Sequence, residues 1–302
     1  MELLRLLEKI RTPVLDEIML KLTELGGEIP LILLALVFFW CIDKRKAYYI
    51  ISVGFLGLIS NQFLKMLCRV PRPWLRDGGV HAVEAAKEGA GGYSFPSGHS
   101  QNAVGIFGSI AAIEKNKVVR ILCILACLVV PFTRLYLGVH TLADVLAGAA
   151  MAVVLIFVMR PLIFSKDGKG IPYVLIFLAV LSAAYLAFVY IWPNLIEITE
   201  ENLESGMKNA YTMVGCLSGF LVAYYVDVKW IRFSEKAVWW AQIIKVAAGL
   251  LIVLAIRSGL SAPLANLLGE NPGRMVRYFL IVVAAGVVWP LVFRFFPERK
   301  RG

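Results

Sequence analysis

Three short segments in the first half of the chain carry residue types that could bind a phosphate group. The first reads KMLCRVPRP, from Lys65 to Pro73, and it holds Lys65 and Arg72. The planar fork of an arginine binds two phosphate oxygens at once, and a lysine adds a point charge. Each residue alone has an ordinary structural explanation, since a lysine at the end of a membrane span commonly extends to the lipid headgroups. The segment therefore predicts an anion site only in combination with others.

The second segment reads YSFPSGHS, from Tyr93 to Ser100. Ser97 is well placed as the N-cap of a helix, with Pro96 stiffening the approach. The peptide N–H groups of Gly98 and His99 would then point out of a helix N-terminus, where anions bind, and glycine allows a ligand to approach the backbone. The alternative is a helix cap with an incidental histidine, although a charged histidine is unfavourable at this end of a helix.

The third segment reads TRLYLGVHTLAD, from Thr133 to Asp144. His140 and Asp144 are four residues apart and would share a helix face. A carboxylate at this spacing can hold one imidazole nitrogen, fix the tautomer and stabilise the cationic ring. Asp144 lies in an apolar stretch, where an isolated charge costs about 2.5–3.5 kcal/mol at mid-membrane, so a functional role is the first hypothesis. The alternative is a structural His–Asp pair.

Together the segments predict a phosphate cradle with a nucleophile or acid–base pair. The cradle would combine helix-terminal N–H groups with the side chains of Lys65, Arg72, Ser97, Arg134, His99, His140 and Asp144. A metal site is the alternative, because the number of possible ligands would be sufficient with His99, His140 and Asp144. Three neighbouring cations would repel a divalent ion, however, so we expect neither a metal nor another cofactor.

The composition indicates which elements position these residues. Of the 302 residues, 59% are hydrophobic and 17% are charged, whereas soluble domains average about 45–50% and 25%. Apolar runs such as 171–192 and 275–293 are long enough to cross a hydrocarbon core of about 30 Å as helices, and too long and uniform for barrel strands. We therefore predict an all-α, polytopic transmembrane bundle of about nine spans. The predicted spans are 28–42, 47–67, 99–114, 117–133, 140–160, 171–193, 208–226, 238–257 and 275–296.

Lysines and arginines concentrate in alternate loops, which the positive-inside rule places in the cytoplasm. These residues are Lys44, Arg45, Lys46, Lys115, Lys117, Arg160, Lys166, Lys169, Lys229, Arg232, Lys236, Arg299, Lys300 and Arg301. The pattern predicts an N-terminus outside, a cytoplasmic C-terminus and all three motifs at the outer boundary. The net charge of +10 comes from basic residues that mostly lie in loops, where the positive-inside rule and anionic lipid headgroups explain them. We therefore expect no nucleic-acid partner.

The chain divides into three predicted regions. Residues 1–26 have apolar side chains at near-helical spacing among charges, which predicts an amphipathic helix at the membrane interface. Residues 27–165 would form a core of about five spans, and the polar break at 166–170 separates it from four further spans in 166–302. The motifs leave the role of the last region open, although Arg257, Arg274 and the acidic loop 194–207 would lie on the same side as the motifs.

The three motifs resemble the signature motifs of the type-2 phosphatidic acid phosphatase superfamily over about residues 1–165. The matching patterns are Lys65-x6-Arg72-Pro73, Pro96-Ser97-Gly98-His99 and Arg134-x5-His140-x3-Asp144, in that order. Thr133 departs from the serine that members often have, but it keeps a hydroxyl.

The resemblance implies metal-independent phosphoryl transfer in two steps, with His140 as nucleophile, Asp144 orienting it, and His99 as acid and then base. It also implies that the phosphate oxygens are held by Lys65, Arg72, Ser97, the Gly98 N–H and Arg134.

The resemblance implies a lipid phosphate substrate, and a site that faces outward favours a polyprenyl pyrophosphate. Phosphatidate, phosphatidylglycerol phosphate and a sphingoid phosphate remain open. A protein with nine spans and these motifs is also similar to members of the glucose-6-phosphatase branch. In that case the substrate would be a sugar phosphate. A phospholipid transporter or flippase and a catalytically silent lipid-binding scaffold are the readings from other classes. The oligomeric state is not predicted.

Overall fold

The computed structural model describes residues 1–165 and 168–298, and over these residues its regular secondary structure is entirely helical. The fourteen α-helices of this part of the chain are α1 Glu2–Glu8, α2 Pro13–Thr23, α3 Glu28–Val37, α4 Lys44–Cys68, α5 Pro73–Arg76, α6 Glu84–Glu88, α7 Gly98–Ile113, α8 Lys117–Tyr136, α9 Leu142–Ile163, α10 Gly170–Ile191, α11 Glu200–Val226, α12 Trp239–Gly259, α13 Ser261–Leu268 and α14 Glu270–Val283. Short 3₁₀ or π segments extend several of them, so that α3 continues to Ile42 and α14 to Phe295. The prediction of an all-α fold is confirmed.

Seven helices are long and apolar enough to cross a membrane, and an eighth candidate is the pair Pro13–Gly26 and Glu28–Ile42, which meet at 48°. The seven are Lys44–Arg76, Lys117–Tyr136, Leu142–Ile163, Gly170–Asn194, Glu200–Ile231, Trp239–Gly259 and Glu270–Phe295. The chain is therefore an integral membrane protein. The predicted count of nine is not confirmed, because α7 has 16 residues and a rise of about 24 Å, less than the core thickness of about 30 Å.

Helices α7 and α8 form a hairpin that brings two of the motifs to one end. Only residues 114–116 join them, and Asn116 caps α8 by accepting hydrogen bonds from Val118 N and Val119 N. Cys127 Sγ lies 3.9 Å from Ala103 O, so positions equally far from the turn face each other. The start of α7 and the end of α8 consequently lie side by side.

Helix α9 is packed against the start of α7 through backbone. Ser97 N donates to Asp144 O at 2.9 Å. A Cβ added to Gly148 would lie 2.5 Å from Ser97 O, so only glycine permits this approach. The second and third motifs are thereby fixed against each other.

The N-terminal segment folds as two helices rather than one, because Thr12 caps α2 and Pro13 occupies its first turn. Leu4, one of the apolar residues of this segment, is buried with Val80, Leu135 and Val145. Other apolar side chains of the segment stay exposed, namely Leu3, Leu6, Ile10, Val14 and Ile18. The placement of this segment at the membrane interface stays a prediction.

The chain forms two compact units. The first comprises residues 1–32, 53–160 and 198–205, and the second comprises 33–52, 161–197 and 206–302. All three motifs belong to the first unit. In the second, Lys44 Nζ pairs with Asp227 Oδ2 at 2.7 Å and Trp40 Nε1 donates to Ala285 O at 2.9 Å. The three regions predicted from sequence stay a prediction, and Lys166, Arg299, Lys300 and Arg301 lie outside the described residues.

Candidate active site

The three motifs converge in the first unit on a cluster of buried charges. Arg72, Arg134, His140 and Asp144 are each 4% exposed or less. The charges of Arg72, Asp144 and Arg134 all act on Lys65. Burial of so many charges is costly unless they pair with one another or with a ligand. The cluster therefore has the character of a binding site for an anion.

His140 lies between α8 and α9, and its two ring nitrogens have different partners. Nε2 is 2.9 Å from Arg72 Nη1. Because a guanidinium only donates hydrogen bonds, Nε2 must accept, and the ring proton is then on Nδ1. Nδ1 faces Asp144 Oδ2 at 3.6 Å, a distance that is longer than a hydrogen bond but within reach of charge stabilisation. This tautomer directs the lone pair of His140 toward Arg72.

The surroundings keep His140 neutral. Burial, and then the positive charge of Arg72, hold the pKa of His140 well below its ordinary value, although the Asp144 carboxylate opposes the shift. Protonation therefore requires a more acidic solution than the ordinary pKa of about 6.5 would suggest. At neutral pH Nε2 is therefore unprotonated, and its lone pair, which accepts from Arg72 in this structure, becomes available to a phosphorus atom when that hydrogen bond is exchanged for one to a phosphate oxygen.

Asp144 is itself fixed at the start of α9. Its Oδ2 accepts from Thr141 N and from Ser94 Oγ, both at 2.7 Å. These two donors hold the carboxylate in one orientation beside the imidazole.

Arg72 and Lys65 tie the loop before α7 to the first motif. Arg72 donates from Nε to Gly92 O and from Nη2 to Gly91 O, both at 2.9 Å, and Lys65 Nζ donates to Tyr93 O. The guanidinium plane is thereby fixed beside His140.

Arg134 and His99 complete the cluster. Arg134 Nη1 donates to Thr23 Oγ1 at 2.9 Å, whereas its buried Nε has no hydrogen-bond partner. The charges of Arg134, Arg72 and Lys65 act on His99. A buried donor without a partner costs free energy, so an oxygen of a bound phosphate would be stabilised at this position.

The start of α7 has the predicted geometry. Ser97 is its N-cap, and its Oγ accepts from Ser100 N at 3.4 Å. The first N–H groups of a helix have no partner within it, which leaves those of Gly98 and His99 directed out of the helix end. A Cβ on Gly98 would meet only Asn61 Oδ1, at 3.6 Å, so the fold itself leaves room at this position.

Comparison with known proteins gives consistent matches. The model of the PAP2 superfamily matches residues 45–167, and that of the PAP2 superfamily phosphatase, transmembrane extension, matches residues 211–301. Phosphatidylglycerophosphatase B of Bacillus subtilis is 31% identical over 165 residues, which cover 50% of this chain and 76% of the relative. The chain belongs to the PAP2 superfamily.

Other PAP2 relatives are also named as phosphatases. Undecaprenyl-diphosphatase BcrC of Bacillus subtilis is 32% identical, covering 48% of this chain and 72% of the relative. A crystal structure described as the first transmembrane PAP2 type phosphatidylglycerolphosphate phosphatase from Bacillus subtilis is 28% identical, with a TM-score of 0.44, and covers 53% of this chain and 81% of that one. The family match and the two curated Bacillus subtilis relatives together show that the chain is a membrane phosphatase that acts on a phosphoric monoester or diphosphate.

In this PAP2 chain, Ser94 joins the cluster although the motifs did not single it out. It is fully buried, and its Oγ lies 2.7 Å from Asp144 Oδ2 and 3.5 Å from His140 Nδ1. A serine in a loop carries neither a charge nor a hydropathy signal. Its proximity in sequence to Ser97 was the only indication available.

Replacing Ser94 by alanine is expected to lower kcat about 10- to 100-fold, because Asp144 loses one of its two hydrogen-bond donors. KM should stay within a few-fold, since Ser94 would act through Asp144 and not on the phosphate. Phosphate-release kinetics measure both constants. Ser109→Ala is a matched control, because Ser109 is a buried serine of α7 whose hydroxyl has no partner. Wild-type kcat in Ser94→Ala would show that this hydroxyl does not position Asp144.

Among residues 1–165 and 168–298, no group of three or more His, Cys, Asp and Glu side chains is arranged to hold a metal ion. The eight residues predicted for the site instead surround one region with cations and helix-terminal N–H groups. That arrangement suits the oxygens of a phosphate.

Proposed function

We propose that this PAP2 protein hydrolyses a lipid phosphate or lipid pyrophosphate without a metal ion, through a phosphohistidine on His140. The observation that carries the proposal is the 2.9 Å contact between Arg72 Nη1 and His140 Nε2. A phosphoryl group bound by the Arg72 guanidinium would lie against the lone pair of His140. Binding and nucleophilic attack would then occur at one point.

In the first step, Nε2 of His140 attacks phosphorus and the bond from phosphorus to the leaving oxygen breaks. Burial and the neighbouring cations lower the pKa of His99 to about 3, so the bound phosphate anion must first raise it and leave the ring protonated. His99 then donates that proton to the leaving oxygen, and the Asp144 carboxylate stabilises the His140 ring as it becomes cationic. In the second step, His99 takes a proton from water, the resulting hydroxide attacks phosphorus, and the P–N bond breaks to restore His140. Phosphate then leaves.

The non-bridging oxygens would be held throughout by groups already in place. These are the side chains of Lys65, Arg72, Ser97 and Arg134 and the N–H of Gly98. Fixed donors of this kind stabilise charge that shifts onto the oxygens in the transition state.

The position of the cluster supports a lipid substrate. Lys65, Arg134 and Asp144 lie near the ends of α4, α8 and α9, all of which are candidate spans. A phosphate bound there can leave its acyl or prenyl tail in the bilayer. The names of the relatives favour phosphatidylglycerol phosphate and a prenyl diphosphate. A further relative adds a sphingoid phosphate as a candidate. It is sphingosine-1-phosphate phosphatase 1 of Mus musculus, which is 24% identical over 84% of this chain and 62% of the relative. We favour a polyprenyl pyrophosphate because we place the site on the outer face.

A phosphate-release assay on the full chain in detergent with EDTA tests this proposal. The panel is phosphatidate, phosphatidylglycerol phosphate, undecaprenyl diphosphate, sphingosine 1-phosphate and glucose 6-phosphate. We expect release from at least one lipid in EDTA and inhibition by vanadate, which mimics phosphate. Release from glucose 6-phosphate alone would favour a sugar-phosphate phosphatase, and movement of labelled lipid without release would favour a transporter. Loss of all activity in EDTA would contradict the metal-independent mechanism.

We also propose that the site faces the extracytoplasmic side, with the N-terminus outside and the C-terminus in the cytoplasm. The distribution of basic residues over alternate loops supports this orientation. In a Cys68→Ser background, Glu88→Cys should react with an impermeant maleimide on intact cells, and Lys117→Cys only after permeabilisation. Both positions are exposed. The opposite labelling pattern would reverse the orientation.

A further inference from the structure

Three arginines of the second unit line one cavity. Arg257 belongs to the last turn of α12, and Arg274 and Arg277 belong to α14. The cavity is open and has a volume of about 480 Å³. Its polar lining consists of Arg257, Ser258, Ser261, Arg274, Arg277 and Tyr278. We call this cavity the arginine pocket.

No acidic side chain lines the arginine pocket, all of whose residues lie in the described part of the chain. Arg277 is only 9% exposed, and the positive charges of Arg274 and Arg257 act on it. Like charges that share a partly buried site repel each other. An anion in the pocket would relieve this repulsion.

The donors of the pocket are only partly used. Arg277 Nη1 donates to Ser261 Oγ, but the buried Nε atoms of Arg274 and Arg277 have no hydrogen-bond partner. Buried donors without acceptors are rare in folded proteins and often mark a bound ligand. The Ser258 hydroxyl already donates to Leu254 O at 2.8 Å, so the available donors are the guanidinium groups, whose planar forks suit phosphate oxygens.

We infer that the arginine pocket binds a phosphate group, carried either by a lipid or by free inorganic phosphate. Helices α12 and α14 belong to candidate membrane spans, so the pocket is at a membrane end. Leu251 and Leu254 are exposed on α12 and offer an apolar path for a lipid tail. The inference does not depend on the roles proposed for His140 and Asp144, because every residue of the pocket belongs to the second unit.

Native mass spectrometry of the full chain in detergent tests the inference. The probes are inorganic phosphate, a dioctanoyl phosphonate analogue of phosphatidate that a phosphatase cannot hydrolyse, and uncharged dioctanoylglycerol. In Arg257→Gln/Arg274→Gln, we expect affinity for one bound phosphate or phosphonate to fall at least about tenfold, because two charged donors are lost. The matched control is Arg232→Gln/Arg294→Gln, which replaces two exposed arginines of the same unit and should bind like the wild type.

The outcomes separate the two sources of the ligand. Arginine-dependent binding of inorganic phosphate would identify free phosphate, and dependence seen only with the phosphonate would identify a lipid headgroup. The inference would be overturned if the wild type, the double variant and the control variant bound the phosphate and phosphonate probes with equal affinity. It would also be overturned if uncharged dioctanoylglycerol bound at this site as well as the phosphonate does. If the double variant does not fold, Arg257→Gln alone replaces an exposed residue, and it should weaken binding about threefold or more. Unchanged affinity in that variant would also overturn the inference.

Discussion

His140→Ala is expected to lower kcat for phosphate release by roughly 10⁴-fold or more, because the mechanism loses its nucleophile. Alanine leaves Arg72 beside the phosphate but offers no lone pair to phosphorus. Steady-state release from the preferred lipid, measured in detergent with EDTA, gives the rate. His140→Gln should lose a similar amount while filling more of the buried space that the ring occupies.

His81→Ala is the matched control. His81 has a side chain that is 73% exposed and pairs with Glu8, so its removal should leave kcat within about twofold. Thermal unfolding in detergent shows whether each variant is folded. A folded His140→Ala protein with a rate near that of the wild type would require another nucleophile.

Asp144→Asn is expected to lower kcat by roughly 10³- to 10⁴-fold, as the same change does in a Ser-His-Asp triad. Asparagine has nearly the shape of aspartate and can still accept hydrogen bonds from Thr141 N and Ser94 Oγ. It has no negative charge to stabilise the imidazole as His140 becomes cationic. KM should change little, because Asp144 would not contact the phosphate.

Raising the pH should not restore the activity of Asp144→Asn. The pKa of His140 is already low because of burial and Arg72, and loss of the carboxylate lowers it further, so the ring stays neutral in both proteins. Asp77→Asn is the control, since Asp77 pairs with Arg5 at 2.7 Å in the same unit and has no proposed catalytic role. A modest effect of Asp144→Asn, or full recovery at high pH, would contradict the role of Asp144.

The candidate site could be proposed from the sequence where residue types are unusual for their surroundings. A charged residue in an apolar stretch, Asp144, and a histidine at the start of a helix, His99, are both unfavourable in energy. Each therefore indicated a functional role. The N-cap at Ser97 is confirmed, because capping depends on local sequence. Ser94 could not be predicted as a partner of Asp144, since fifty residues separate them and only folding brings them together.

The fold was predictable to a similar degree. Long apolar runs indicated the helices α4, α8–α10 and α12 to within a few residues. Helix α11 begins at Glu200, eight residues before the predicted start at 208, because its first two turns are polar. The N-terminal segment was predicted as one helix, although Thr12 and Pro13 contained the signal for the break. The compact units could not be predicted from the polar break at 166–170, because the first unit includes residues 198–205, and contacts between distant segments determine such units.

Trapping of the phosphorylated enzyme tests the central claim most directly. A substrate with ³²P in its terminal phosphate is mixed with the enzyme, the reaction is stopped within milliseconds in alkaline denaturant, because the P–N bond is labile in acid, and labelled peptides are mapped. We expect label on the peptide that contains His140, removed by acid and absent from His140→Ala. Label on another residue, or turnover with no labelled protein at any time, would contradict the mechanism.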